Sequence, residues 1–190
     1  MTVRLILILF LVSSCAKEVE PNYLRELNLN EQFVQEQFDA DLVKVELSDN
    51  RNFAMLQNVE GKRQPILFLH GRGLYPNEPL VMNPIREGLM SEYNVFSIQL
   101  PVLEKGATYY KYKKIFSYSN ERISAALEKI HSEYGKVIVI AHSCGAHMLS
   151  SYLDMHGGEY LESVILLSAG AVDKNQIATF FNYSLLDFKL

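Results

Sequence analysis

Four short, nearly continuous apolar runs, at residues 66–69, 95–100, 137–141 and 164–168, constrain the fold of this chain more than any other feature. A strand with one face in water alternates apolar and polar residues, whereas these runs are nearly continuous, broken only by Ser97, Gln99 and Ser168, and suit strands buried on both sides. The stretches between them are of helical length. Asn83 and Pro84 offer a cap and a first-turn proline, with Ile85 and Leu89 one turn apart. Ile123, Ala126, Leu127, Ile130 and Tyr134 recur at three- and four-residue spacing, and Gly135 stops the pattern. From Ser143 to about Met155, Ala146, Leu149 and Leu153 share a face that ends at Gly157 and Gly158. Strand and helix alternating three times predict right-handed βαβ units, hence an α/β fold: a mostly parallel twisted sheet with helices on both faces. Upstream, residues 42–47 alternate, 48–51 are turn-like and 53–59 carry apolar residues again, which predicts an N-terminal antiparallel hairpin.

The third run leads directly into a helix through Ala141-His142-Ser143-Cys144-Gly145-Ala146. A serine at such a bend has two readings. It can cap the helix by accepting a backbone N–H, or it can stand clear above the sheet as a nucleophile. The second reading requires small residues two positions to either side, because strand and helix then approach closely. Ala141 and Gly145 meet that condition. The first run also ends in a glycine-rich bend, His70-Gly71-Arg72-Gly73.

Together these bends resemble the nucleophile elbow and the H-G-x-G loop of α/β-hydrolases, in the order and strand context that fold requires. The wider segments around Tyr75-Pro76-Asn77, residues 95–103 and residues 141–146 resemble a bacterial α/β-hydrolase family, with coverage from about Asp41 to Ala171. The resemblance implies a carboxylester or acyl hydrolase with Ser143 as nucleophile. It also implies an oxyanion hole made by the backbone N–H groups of Arg72 and Cys144. His70, Gly71, Gly73, His142 and Gly145 would support those groups.

A serine hydroxyl needs an aligned base, and in this fold the acid and then the histidine follow the serine along the chain. Only His147 and His156 follow Ser143, and both belong to the helix that begins there. Asp173, a few residues after the last run, is the candidate acid, with an exposed loop aspartate as the plainer reading. An apolar tail from Ile177 to Leu190 follows without another strand pattern, so the sheet is expected to be incomplete at its C-terminal end. Three readings stay open: a serine hydrolase recorded as a shortened chain, a non-catalytic relative that binds a ligand or partner, and an inactive truncated product.

Arg4, the apolar residues 5–12 and the small residues Ser13 and Ser14 before Cys15 have the layout of an export signal. Eight apolar residues cannot span a bilayer, which takes ~20. Residues 12–15 resemble the bacterial lipobox, which implies cleavage before Cys15, a lipid anchor on that thiol and, with Ala16 next, residence at the outer membrane. The expected organisation is a signal peptide at 1–14, a tether at 15–40 and the catalytic-type domain at 41–190.

Composition narrows the partners. At 190 residues and a net charge of -4, with no Lys/Arg-rich block, the chain lacks the basic footprint of nucleic-acid binding. Two cysteines and five histidines form no metal-ligand spacing, so neither metal nor cofactor is expected. Small-molecule esters and, through Cys15, the membrane are the expected partners.

Overall fold

The computed structural model describes residues 18–36, 40–61 and 63–170. Cys15 with its leader, and Asp173 with the apolar tail, lie outside the described residues. The order of elements is α1 (Tyr23–Glu36), β1 (Asp41–Glu46), β2 (Asn52–Asn58), β3 (Pro65–Leu69), α2 (Met82–Leu89), β4 (Asn94–Ile98), α3 (Tyr109–Lys113), α4 (Phe116–Tyr134), β5 (Val137–His142), α5 (Cys144–His156) and β6 (Leu161–Leu167).

The strands form one sheet in the order β1-β2-β4-β3-β5-β6. β3, β4, β5 and β6 run parallel, and the hairpin β1–β2 joins antiparallel against β4. The hairpin turns at Asn50, which takes a positive φ of 66°, and Leu47 N–H bonds Arg51 O at 2.7 Å. Asparagine tolerates that conformation better than most residues.

Burial follows the period of two along the strands. Leu67, Leu69, Phe96, Ile98, Val137, Val139 and Ala141 pack with residues of α4 and α5. Their neighbours Ile66, Phe68, Val95 and Ile140 pack with Met82 of α2. The middle strands are thus covered on both faces, as their nearly continuous apolar runs require. From β3 the chain passes to β4 on one side, then returns across β3 to β5 on the other. That reversal lies between β3 and β5, so a crevice opens at their C-terminal ends, where open α/β sheets bind ligands.

Three details differ from the sequence reading. Helix α2 begins at Met82, and its first turn is capped by the Glu78 carboxylate, which accepts from the N–H groups of Leu80, Val81 and Met82. Asn83 spends its amide on Glu87 and its oxygen on Arg86 instead of capping. Strand β6 starts at Leu161, three residues ahead of the apolar run, and among the described residues it is the edge of the sheet, so its run is not buried on both faces as expected: Ile165 is 46% exposed. The segment read as a tether contains α1, a helix whose mixed pattern hides an internal role: Glu26 is buried in an ion pair with Arg122 of α4 at 2.9 Å.

Candidate active site

Register brings the two bends together. Leu69 pairs with Ala141 across the parallel β3–β5 ladder, so residues 70–73 and Ser143 leave adjacent strands at the same end of the sheet. A Cβ added to Gly71 would lie 3.5 Å from Ser143 Cβ and 3.2 Å from His142 Nδ1. The loop therefore rests directly against the serine.

Ser143 adopts φ 51° and ψ -119°, a strained conformation for a residue with a side chain. Its N–H donates to Leu167 O at 2.9 Å and its carbonyl accepts from Ala146 at 3.1 Å, so the backbone is held on both sides. The side chain makes no capping bond to α5. Of the two readings open for a serine at this bend, capping is therefore set aside, and the half-buried hydroxyl is left for other work.

Gly145 explains how the bend closes. A Cβ there would sit 2.5 Å from His70 O and 2.6 Å from Leu69 O, inside contact distance of rigid backbone. Only glycine lets α5 press this hard on the end of β3. Ala141, on the strand side, is fully buried and already fits.

The facing loop is held by its carbonyls. His70 is buried, with Nδ1 2.8 Å from Gly71 O while Nε2 accepts from Leu100 N–H at 3.0 Å. Those contacts define a neutral ring with its proton on Nδ1, and burial pushes its pKa down to about 4. Gly73, at φ 71°, turns its carbonyl toward Arg25 of α1, whose guanidinium donates at 2.9 Å and also reaches Leu103 O. The Gly71 carbonyl is held by His70 and the Gly73 carbonyl by Arg25, while the Arg72 amide between them bonds no partner among the described residues. The same holds for the Cys144 amide at the first turn of α5. Two unspent N–H groups flanking a serine are what an oxyanion hole needs.

The Cys144 thiol and His147 are occupied elsewhere. The Cys144 thiol is buried and pushed up to about 12, which keeps it protonated and inert as a nucleophile. His147 has Nε2 2.6 Å from Gly170 O and its ring edge-on to Tyr109, with centroids 5.1 Å apart. His142 is half-buried, and its Nδ1 has no hydrogen-bond partner among the described residues. No cluster of metal-ligating side chains occurs among the described residues.

Beside the loop lies a cavity of about 610 Å³, lined by Arg72, Gly73, Lys105 and the tyrosines Tyr109, Tyr110 and Tyr112. Tyr112 is buried with its hydroxyl accepting from Leu103 N–H at 3.0 Å, but Tyr110 is 72% exposed at the cavity rim. Sequence reasoning missed Arg25 altogether, because its partners lie 48 and 78 residues away and leave no local signal.

No protein-family model and no curated protein sequence matches the chain. Solved structures do share its fold. The esterase Pf2001 of Pyrococcus furiosus aligns at 20% identity and a TM-score of 0.51, over 67% of this chain and 48% of that one. RhEst1, an esterase from Rhodococcus sp. ECU1013, aligns at 16% and 0.53, over 67% and 46%. Carboxylesterase CesB (YbfK) of Bacillus subtilis aligns at 10% and 0.56, over 77% and 50%. The chain thus spans about half the length of these esterases and shares with them the α/β-hydrolase type of fold.

Proposed function

We propose that this chain carries the nucleophile half of a carboxylester or acyl hydrolase, with Ser143 attacking the ester carbonyl. The observation that carries the reading is the left-handed backbone of Ser143, uncapped, beside two amide N–H groups that no described residue takes up. In the reaction Ser143 Oγ bonds the carbonyl carbon and gives its proton to a base, while the Arg72 and Cys144 amides hold the oxyanion. The C–O bond to the alcohol then breaks, the alcohol leaves protonated, and water releases the acid from the acyl-serine. Substrate would lie in the cavity by Arg72. Its lining holds Arg25, Arg72 and Lys105 against Glu104, whose carboxylate is paired with Lys111, so esters that carry a negative group are favoured.

The base is the open position. His70 and His147 each spend a ring nitrogen on backbone, His70 both of them, so neither is placed to serve Ser143. Asp173 is the proposed acid. Cys15 is the proposed site of lipid attachment, which would hold the chain at the cell envelope, with the outer membrane favoured by Ala16. The commitment of these histidines supports a second reading, an envelope lipoprotein of the same fold that binds an ester-like ligand without turnover.

Labelling with a fluorophosphonate probe separates the two. A hydrolase reading expects labelling that disappears in Ser143→Ala. A folded chain that resists the probe at every concentration overturns that reading and favours the binder. Without an aligned base, turnover of a simple aryl ester should stay within the ~10³- to 10⁴-fold over water that binding and an oxyanion hole supply.

A further inference from the structure

Three cations, Arg25, Arg72 and Lys105, line the cavity beside the loop at residues 70–73, against the carboxylate of Glu104. That local balance is opposite in sign to the chain's net charge of -4. Glu104 is spent on Lys111, and Arg25 on the Gly73 and Leu103 carbonyls. Arg72 and Lys105 are exposed and make no hydrogen bond or ion pair among the described residues. Two open cations in one concave lining favour a ligand that carries negative charge.

Arg72 holds a double position. Its amide N–H is unspent in the loop that rests against Ser143, and the residue also lines the cavity. Burial raises the Cys144 thiol and the charge of Arg72 acts against that rise, so the guanidinium stands near the residue that follows Ser143. At full stretch a guanidinium carbon lies roughly 7 Å from its own amide nitrogen. A carboxylate held by the side chain and a carbonyl held by the amide are therefore neighbours, and a short linker suits the pair. The rings of Tyr109 and Tyr110, edge to face with centroids 5.9 Å apart, give the same cavity a wall for methylene groups.

We propose that the Arg72 side chain selects the ester taken by this site: one with a free carboxylate a few bonds from its carbonyl, as in the half-ester of a short dicarboxylic acid. The carboxylate pairs with the Arg72 guanidinium, with Lys105 as the second cation of the lining, while the ester carbonyl lies against the Arg72 and Cys144 amides. The inference rests on the place proposed above for that carbonyl.

Titration calorimetry on the full chain carrying Ser143→Ala, which cannot turn over, tests this with monomethyl glutarate and methyl pentanoate, the same ester with and without the carboxylate. The half-ester should bind about tenfold more tightly, the worth of one charge-assisted hydrogen bond, and the preference should shrink as salt is added. Adding Arg72→Met, which keeps the amide, should remove most of the preference, and Arg72→Lys should restore part of it, with melting curves confirming that each variant is folded. Equal affinity for the two esters, or a preference unchanged by Arg72→Met, overturns the proposal. Fluorophosphonate labelling of Ser143 in the unaltered chain reads the hydrolase proposal separately. Labelling without a half-ester preference sinks only the role of Arg72, whereas a preference without labelling leaves Arg72 as the carboxylate anchor of the non-catalytic reading.

Discussion

The two bends that meet at the site are built in opposite ways. The Ser143 bend is closed by its own neighbourhood: a buried strand, Ala141, and a glycine whose missing side chain admits Leu69 and His70 carbonyls. The loop at residues 70–73 is held from afar, by Leu100 through His70, by Arg25 of α1 through Gly73, and by Gln99 against His70. A local device survives changes elsewhere in the molecule, whereas a borrowed one fails when any lender moves. Half of this site is therefore exposed to events at the N-terminal helix.

The sharpest way to break the comparison is to damage the local half. Gly145→Val would drive a side chain into two backbone oxygens, and a destabilisation of at least ~3 kcal/mol is expected, read as a shift of the urea midpoint. Next comes the pH response of the borrowed half. Burial keeps His70 neutral in the folded chain down to about pH 4, whereas a histidine in water ordinarily titrates near 6.5. Between those values the unfolded chain binds the extra proton, so this contribution is fully present above 6.5 and is lost as pH falls toward 4, by up to about 3 kcal/mol. Glu26 acts in the opposite sense, because burial raises its pKa and the folded chain takes that proton first. Urea melts of wild type and His70→Gln at neutral and acid pH isolate the histidine; equal pH slopes would remove it from the account.

Arg25→Met should cost about 2 kcal/mol in stability for the two carbonyl contacts it loses. On the hydrolase reading it should also slow fluorophosphonate labelling of Ser143 about tenfold as the loop at residues 70–73 loosens. A labelling rate unchanged in a folded variant would show that the loop holds itself. The smallest effect is expected at the outer face, where Arg51 pairs with Asp49 and Glu121 in solvent. Arg51→Ala should move the midpoint by no more than ~1 kcal/mol.

What could be read from residue order follows the same division. The parallel strands, the hairpin and the Ser143 bend each depend on neighbours within a few positions, and periodicity or a short motif reports them. Helix α1 falls inside the segment read as a tether because its pattern is mixed and Glu26 is its buried position among those described. Glu26 faces the interior and raises no hydrophobic signal, and Arg25 looks like any surface cation until Gly73 and Leu103 are placed beside it. The cap of α2 was misplaced for a related reason. Asn83 and Pro84 suit a helix start, but Glu78, several residues earlier, folds back over the first turn and moves that start to Met82. Gln99 lies inside the run at 95–100, and nothing in its neighbours announces a fully buried amide whose oxygen has no donor among the described residues.

The pairing of Arg25 and Glu26 with residues 48 to 96 positions farther along has a consequence for biogenesis. These side chains leave the ribosome early yet have nothing to hold until Gly73, Leu103 and finally Arg122 have emerged. Arg25 can brace the loop at residues 70–73 once Leu103 has been made, whereas the docking of α1 is completed only when Arg122 of α4 has followed.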